Sequence, residues 1–339
     1  MTHIQRLVIC VVLASTVPLC AAADDVVPAA PTDVQIHAAL TRAFKFIETD
    51  AQKWRADHEC ATCHHGAMTI FVINEVDQVG LRINRKLRDE ISDWTKARFV
   101  PPPDAPPLDP NASAGSRIPS LAAAYLVAGS WGRISGLTLD ERSRIAKNIV
   151  ERQEADGSWP PPPPKNGPVP VFESRETMTL WFAMALQQNP LVFPDDSPTI
   201  TDAYNKAVAW LDATPVSDTT QAHALRLLFD MRRVVPPEPR IATLLARQNS
   251  DGGWSQVPEL RSDAFATGQA LWMLRTANFH ADRAEFLKGV SFLLATQQED
   301  GSWNITPRTT PERPASKNVV PIKYFASAWA TLGLTHALH

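Results

Sequence analysis

The chain has few cysteines and no excess of charge of either sign. Its 339 residues include only four cysteines, and 33 basic side chains stand against 36 acidic ones. This balance gives no indication of the basic surface that a nucleic-acid-binding protein needs. After the N-terminal segment, no apolar run is long enough to cross a bilayer. The sequence therefore predicts a soluble protein with no nucleic-acid partner, and 44% of apolar residues suffices for a large core.

Glycine is also scarce, whereas proline is frequent. The chain has 14 glycines and 29 prolines, and many of the prolines cluster at residues 101–110, 160–170 and 235–239. A proline ring removes a backbone donor and clashes with the preceding helical turn. Such clusters therefore indicate boundaries between helices.

The first residues have the order of a secretory signal peptide. Arg6 precedes an apolar run over residues 7–19, and three alanines follow at residues 21–23. This order predicts a signal peptide over residues 1–23 and a linker over residues 24–34. We therefore expect an exported protein, located in the periplasm or elsewhere outside the cytoplasm.

Cleavage near residue 22 or 23 also changes the number of cysteines. Cys10 and Cys20 leave with the signal peptide, and the mature chain keeps Cys60 and Cys63. Lipidation of Cys20 is an alternative, which the large Leu19 before it disfavours. An exported protein can hold disulfides, but two cysteines three positions apart point to a cofactor.

One short pattern occurs three times in the chain. Gln-x-x-Asp-Gly-x-Trp stands at residues 153–159, 248–254 and 297–303, and the second interval is about half of the first. A period of roughly 40–50 residues is typical of helical repeats or propellers. Apolar residues at three- and four-residue spacing lie between the patterns, and they favour helices.

The periodicity predicts an all-α ring of six inner and six outer helices. The apolar inner helices are expected to start near residues 67, 118, 175, 219, 263 and 323. Each is paired with a more polar outer helix, although the one near residues 85–98 is poorly patterned. An open superhelical stack has the same period and stays an alternative.

The pattern resembles the QW repeat of the squalene-hopene cyclase and protein prenyltransferase superfamily. The fullest match consists of Lys288, Gly289, Phe292, Leu293, Gln297, Asp300, Gly301 and Trp303. The resemblance implies an α/α toroid over residues 35–339. In each repeat we expect the glycine to adopt a positive φ, the aspartate to cap amides, and the tryptophan to pack over the glutamine and lock adjacent repeats.

The catalytic motifs of that superfamily are missing. The Asp-x-Asp-Asp motif of the hopene-forming cyclases is absent, and the nearest string, at residues 193–196, is interpreted as a solvated turn. The Asp-x-Cys zinc pair of the prenyltransferases is also absent, because His58 and Ala61 stand two positions before the cysteines. The resemblance therefore implies a fold and no activity.

Residues 60–64, Cys-Ala-Thr-Cys-His, have the spacing of a c-type haem attachment site. Two thiols three residues apart can reach both vinyl groups of one haem, and the next histidine then lies under the iron. The motif predicts one covalent haem c on Cys60 and Cys63, with His64 as proximal iron ligand. The alternatives are zinc held by these cysteines with His64 or His65, and a redox or structural cysteine pair.

The motif stands where the first repeat is expected to have its turn. Gly66 would end that turn and an inner helix would start at Ala67, so the haem would lie at one rim of the ring. We expect His65 to point away from His64, by about 100° around a helix. The distal ligand stays open among His58, Met178, His223 and water.

Polar residues at the starts of the inner helices are expected to surround the mouth of the ring. They are interpreted either as a rim that binds substrate or haem propionates, or as helix caps. Capping is preferred for Asp218 and Asp263, and Arg175 is a candidate for a propionate. The full set is Glu173, Arg175, Glu176, Asp218, Asp263 and Tyr324.

These features allow functions of different classes. The preferred one is electron transfer with a redox partner protein. The second is a haem- or zinc-dependent enzyme acting on a small apolar molecule inside the ring, and the third is a binding protein without catalysis. The cavity of the second would be lined by Trp181, Phe182, Phe265, Trp272 and Phe325.

Overall fold

The structure is a computed structural model that describes residues 30–58, 61–106, 108–109, 119–128, 136–161, 174–187, 197–306 and 320–338. The predicted signal peptide, the string at residues 193–196 and Glu173 lie outside these residues. Within the described residues the regular structure is helical, and extended pairing is confined to two isolated bridges.

Six helices form the outer layer of the described chain, and each precedes an inner helix. The outer helices are α1 (Asp33–Asp57), α3 (Arg85–Phe99), α5 (Leu139–Val150), α7 (Ser197–Ala213), α9 (Glu238–Leu245) and α11 (Ala284–Thr296). The inner helices are α2 (Thr69–Gln78), α4 (Leu121–Ala128), α6 (Arg175–Gln187), α8 (Thr220–Arg232), α10 (Ala264–Thr276) and α12 (Val320–Thr335). A π-helical turn over Cys63–Met68 leads directly into α2. The predicted pairing is confirmed, including the poorly patterned α3.

The inner helices form a closed ring. Each inner helix packs against the next one in the chain, and α12 packs against α2 and the π turn. The last outer helix, α11, likewise contacts α1. The chain is therefore a closed α/α toroid, and the open stack is excluded.

The three tryptophans of the repeat fasten each outer helix to the inner helix that follows. Trp303 donates from Nε1 to the carbonyl of Leu293 in α11 at 2.8 Å, and its backbone N–H donates to Ser327 Oγ in α12 at 2.9 Å. Trp159 and Trp254 make the equivalent bonds. All three indoles are fully buried.

The glutamine of the repeat is the residue that connects one repeat to the next. Gln297 Nε2 donates to the carbonyl of Gly301 at 3.1 Å and to that of Ala39 at 2.9 Å. Gln153 and Gln248 donate in the same way to the following outer helix. The tryptophan was expected to lock adjacent repeats, and Trp254 lies against Gly289 of the next outer helix; the glutamine hydrogen bonds also connect the repeats, because their acceptors lie on that helix. Since Ala39 belongs to α1, the last repeat closes the ring with this bond.

The glycine and aspartate of the repeat have the expected roles. Gly157, Gly252 and Gly301 have φ values of 90°, 85° and 86°. A Cβ atom on Gly252 would lie 2.7 Å from the carbonyl oxygen of Lys288, so the turn also presses against the next outer helix. Asp300 Oδ1 accepts from the amide of Ser302 at 3.0 Å.

Aromatic side chains fill the middle of the ring. Trp181 and Trp329, on opposite inner helices, have ring centroids 6.5 Å apart, and Phe71 meets Trp272 edge-on at 5.3 Å. Phe265 and Phe325 pack together at 5.4 Å. Of the five residues expected to line a cavity, Phe182 instead packs against Trp159 of the repeat turn, with 5.5 Å between ring centroids.

Candidate functional site

The Cys-Ala-Thr-Cys-His motif leads into the first inner helix. Thr62 is the N-cap of the π turn, and its Oγ1 accepts from the amide of His65 at 3.1 Å. A π-helical turn is frequent at functional sites. Cys60 lies outside the described residues, and so does the side chain of Cys63. The expected helix start at Ala67 is wrong by four residues, because Thr62 caps the helix earlier.

Gly66 lies within the π turn and does not end a turn as we expected. It is absent from the described glycines with positive φ. A Cβ atom at this position would lie 2.8 Å from Oγ1 of Thr95, a buried residue of α3. Gly66 therefore permits close packing of the first inner helix against α3.

His65 is the fully buried centre of the site. Its Nε2 lies 2.9 Å from Asp50 Oδ2, and its ring stacks on Trp54 with 4.3 Å between centroids. Tyr324 packs on the ring at 3.8 Å, and its hydroxyl is held by Thr69 Oγ1 at 2.6 Å. Burial lowers the pKa of His65, although the hydrogen bond and the charge of Asp50 act in the opposite direction. His65 is therefore neutral at physiological pH.

His64 lies beside His65, contrary to the expectation that the two rings point apart. Its Nδ1 lies 2.6 Å from Nδ1 of His65 and 2.8 Å from Thr62 Oγ1. Burial, and second the proximity of His65, lower the pKa of His64 to about 3. Its Nε2 has no hydrogen bond with any residue that the structure describes. A neutral imidazole with one free ring nitrogen is the form that binds metals.

His58 is the distal candidate that the structure brings to the motif. It stacks on Trp54 with 3.7 Å between centroids, and Trp54 also meets the ring of His64 edge-on. Its Nδ1 donates to the carbonyl of Trp54 at 3.1 Å, and its Nε2 has no partner among the described residues. Met178 and His223 lie on α6 and α8, and α4 stands between the π turn and α6 in the ring.

The zinc alternative offered either His64 or His65 as a ligand beside the cysteines. Both ring nitrogens of His65 are engaged, one with Asp50 and one with His64. Within the described residues, which do not include the thiols of the motif, no three metal-binding side chains converge. Of the two adjacent histidines, only His64 therefore has a nitrogen free to bind a metal.

The expected rim divides into caps and buried contacts. Asp263 caps α10 by accepting from the amide of Ala266 at 2.9 Å, as expected. Asp218 is not a cap, because Thr219 occupies that position of α8 and Asp218 instead pairs with Arg247.

Three other rim candidates are engaged inside the protein. Arg175 donates to Ser158 Oγ at 2.7 Å, so its guanidinium is already bound within its own repeat. Glu176 forms a buried ion pair with Arg226 at 2.7 Å, which joins α6 to α8. Tyr324 is fully buried against His65 and does not line the mouth of the ring.

The inside of the ring holds polar groups that the sequence interpretation missed. Gln221 and Gln269 are each about 1% exposed, and neither end of either amide has a hydrogen-bond partner among the residues that the structure describes. Gln221 lies on the face of α8 opposite Asp230, which binds Arg240 of the outer layer. The indole N–H groups of three inner tryptophans are also unpartnered. They belong to Trp181, Trp272 and Trp329.

The residues around His64 were missed for a different reason. Asp50 and Trp54 lie on a polar helix whose pattern carries no functional signal. Gln269, in contrast, interrupts a largely apolar stretch of α10, and that interruption was a usable signal, whereas α8 carries other polar residues besides Gln221.

None of the described helices combines the length and apolar character that a membrane span requires. The chain matches no known family model. No curated protein is similar to it in sequence.

Solved structures with the same architecture are similar over most of the chain. One is a type II terpene cyclase from Scytonema in complex with geranylgeranyl dihydroxybenzoate, with 12% identity and a TM-score of 0.53 over 90% of this chain and 98% of that chain. A polysaccharide lyase has 9% identity and a TM-score of 0.55 over 88% and 97%. A glycosidase in complex with glucose has 11% identity and a TM-score of 0.54 over 88% and 96%. At these identities the similarity shows the fold alone, a terpene-cyclase-like α/α toroid.

Proposed function

We propose that the protein is an exported c-type haem protein that exchanges electrons with a redox partner protein. The observation that carries this proposal is the state of His64, directly after the two cysteines of the motif. Its Nδ1 is held by neighbours while its Nε2 is free, as iron ligation requires. When bound, the haem supplies one-electron oxidation and reduction.

The surrounding residues suit such a group. Thr62 and His65 fix the orientation of the His64 ring, and the edge of Trp54 shields one side of it. His58 is exposed, so the site adjoins the surface where a partner would exchange electrons. His58 is also the distal ligand that we propose, because its free Nε2 lies in the same aromatic cluster.

The test is the absorption spectrum of the full chain, produced in a host with a haem-attachment system. We expect a pyridine haemochrome of the c type that survives acid-acetone extraction, with low-spin iron. Cys63→Ser should change the haemochrome and weaken attachment, and Cys60→Ser with Cys63→Ser should abolish it. Thr62→Ser is the matched control, because it places a serine inside the motif and keeps both cysteines and the hydroxyl that caps the turn. A colourless protein that contains zinc would instead support the zinc alternative.

A second function is favoured by the unpartnered polar groups inside the ring. Buried amides and indole N–H groups normally have partners, and Gln221 and Gln269 lack them on both amide atoms. The three indoles lie close together, since the ring of Trp329 is 6.5 Å from that of Trp181 and 6.1 Å from that of Trp272 between centroids. The combination suits a small molecule with a flat apolar body and carbonyl or hydroxyl groups. The substrate of the similar terpene cyclase, geranylgeranyl dihydroxybenzoate, also combines apolar and hydroxylated parts.

Calorimetric titration can test this second function with two matched probes. Menadione has an aromatic body with two carbonyl groups, and methylnaphthalene has a similar body with none. We expect menadione to bind more tightly. Gln221→Met with Gln269→Met should weaken menadione binding about tenfold, the value of one lost hydrogen bond, and leave methylnaphthalene unaffected. Equal affinity for both probes in all variants would contradict a polar role of the amides.

A further inference from the structure

We propose that Asp50 and His65 are positioning residues that fix the tautomer of His64, so that its Nε2 carries no proton. The inference concerns three side chains in line: Asp50, His65 and His64. The hydrogen-bond distances along this line are 2.9 Å and 2.6 Å. The use of Nε2 to bind iron rests on the proposed function, whereas the tautomer itself does not.

The first step is the contact between Asp50 and His65. An ionised carboxylate has only acceptors to offer. Asp50 Oδ2 lies 2.9 Å from Nε2 of His65, so this nitrogen must carry the proton. A neutral imidazole has one N–H group and one acceptor nitrogen. Nδ1 of His65 is therefore an acceptor.

The second step passes this constraint to His64. Its Nδ1 lies 2.6 Å from the acceptor Nδ1 of His65, so His64 must donate from Nδ1. Thr62 Oγ1, at 2.8 Å, is a second acceptor for the same N–H group. A neutral His64 that carries its proton on Nδ1 has a free electron pair on Nε2.

The third step is rigidity, because a tautomer is fixed only if the acceptor cannot rotate away. His65 is fully buried and lies between Trp54 and Tyr324, which stack on its ring at 4.3 Å and 3.8 Å. Thr69 holds the Tyr324 hydroxyl at 2.6 Å. The aromatic packing therefore keeps Nδ1 of His65 directed at His64.

The arrangement has a consequence for a metal bound at Nε2. A hydrogen bond from the other ring nitrogen to an acceptor makes a histidine ligand more basic. Here the acceptor is itself bonded to a carboxylate, so part of the negative charge of Asp50 reaches the ligand. A more basic ligand stabilises the oxidised iron. The line of residues should therefore lower the reduction potential of a haem on His64.

The first variant is Asp50→Asn. An asparagine side chain can donate to His65 Nε2, which would move the His65 proton to Nδ1 and set two donors against each other. Asp57→Asn is the matched control, because Asp57 lies two turns further along α1 and is exposed. It forms no hydrogen bond or ion pair with the described residues. Both variants remove one negative charge from the same helix.

Two measurements test the hydrogen-bond relay from Asp50 through His65 to His64 separately from the presence of haem. Long-range proton–nitrogen correlation spectra identify which nitrogen of each histidine carries the proton, with or without haem. We expect the Nδ1–H form of His64 in the natural protein and in Asp57→Asn, and its loss in Asp50→Asn. In haem-loaded protein, we expect Asp50→Asn to change the oxidised-to-reduced ratio tenfold at a given potential. For one electron this raises the reduction potential by about 59 mV.

A second pair of variants guards against misfolding. Asp50→Glu should restore the tautomer and the potential, because it returns the carboxylate. His65→Phe keeps the stacking but removes both nitrogens, so it should raise the potential as Asp50→Asn does. An unchanged His64 tautomer in a folded His65→Phe protein, which lacks the Nδ1 acceptor, would overturn the proposed role of Asp50 and His65; in Asp50→Asn alone it would not, because the amide oxygen can still accept from His65. A protein without haem would overturn the proposed function, and the tautomer would still decide the relay.

Discussion

The turn between the outer and the inner helix has different roles in the last repeat and in the first repeat. In the last repeat, Gln297, Asp300 and Trp303 all have hydrogen-bond partners within the turn or on its neighbours. In the first repeat, the corresponding turn is replaced by the π turn, and His64 keeps a free nitrogen. A turn whose polar groups all have hydrogen-bond partners stabilises the ring, whereas a turn with an unpartnered nitrogen can bind a ligand.

The length of α1 explains how one helix serves both repeats. Its N-terminal half accepts the closing hydrogen bond at Ala39, and its C-terminal half supplies Asp50 and Trp54 to the site. The two tasks lie on separate stretches of a 25-residue helix. The site can therefore vary without opening the ring.

The largest expected effect comes from Gly301→Ala. The glycine has a φ of 86°, and an added Cβ atom would clash with the carbonyl of Arg42 in α1. The strained backbone and the clash together should cost about 3 kcal/mol in the free energy of unfolding. Urea denaturation followed by circular dichroism measures this cost.

Gly80→Ala separates the two causes of that cost. Gly80 has a φ of 79°, but no atom lies within 4 Å of the position of an added Cβ atom. This variant should lose only about 1 kcal/mol, the cost of the left-handed backbone. Equal losses in the two variants would show that contact with α1 does not contribute to the closure of the ring.

A smaller effect is expected from replacing a partnered and an unpartnered glutamine by methionine. Gln297→Met leaves the carbonyls of Gly301 and Ala39 without this donor, and it should cost about 2 kcal/mol. Gln221→Met removes an amide that has no partner, so stability should change by less than about 1 kcal/mol, in the stabilising direction. Thermal unfolding of both variants provides the comparison, and a large loss in Gln221→Met would contradict the unpartnered state.

The fold was predictable from the sequence because its determinants repeat. A glycine with positive φ, a capping aspartate and a buried tryptophan occur together three times, so chance coincidence was excluded. Periodicity also located α3 despite its polar composition. The closure of the ring was not predictable, because the bond from Gln297 to Ala39 joins residues at opposite ends of the chain.

The site was predictable only where local spacing decides the chemistry. The motif identified His64, but Asp50 and Trp54 approach it from another helix. The relation between His64 and His65 was mispredicted because we assumed α-helical geometry, whereas the chain forms a π turn at these residues. Nothing in the sequence pattern distinguishes a π turn from an α-helical turn at these residues. The difference depends on tertiary contacts with α1 and α3.

The smallest expected effect comes from Asp300→Asn, which weakens the turn of the last repeat through its charge. Burial alone would raise the pKa of Asp300, but Lys323 and the hydroxyl and amide of Ser302 outweigh it and lower the pKa to about 2. Because an unfolded aspartate titrates near about 3.9, this contribution to stability is present at neutral pH and is lost as the pH falls from about 5 through 2. The side chain is half exposed, so solvent screening limits the loss at pH 7 to less than about 1 kcal/mol. Urea denaturation should therefore show that Asp300→Asn lowers the free energy of unfolding at pH 7 and that this difference from the natural protein shrinks at pH 2. The control Asp57→Asn should show no difference at either pH. A difference independent of pH would mean that the turn depends on the shape of Asp300 and not on its charge.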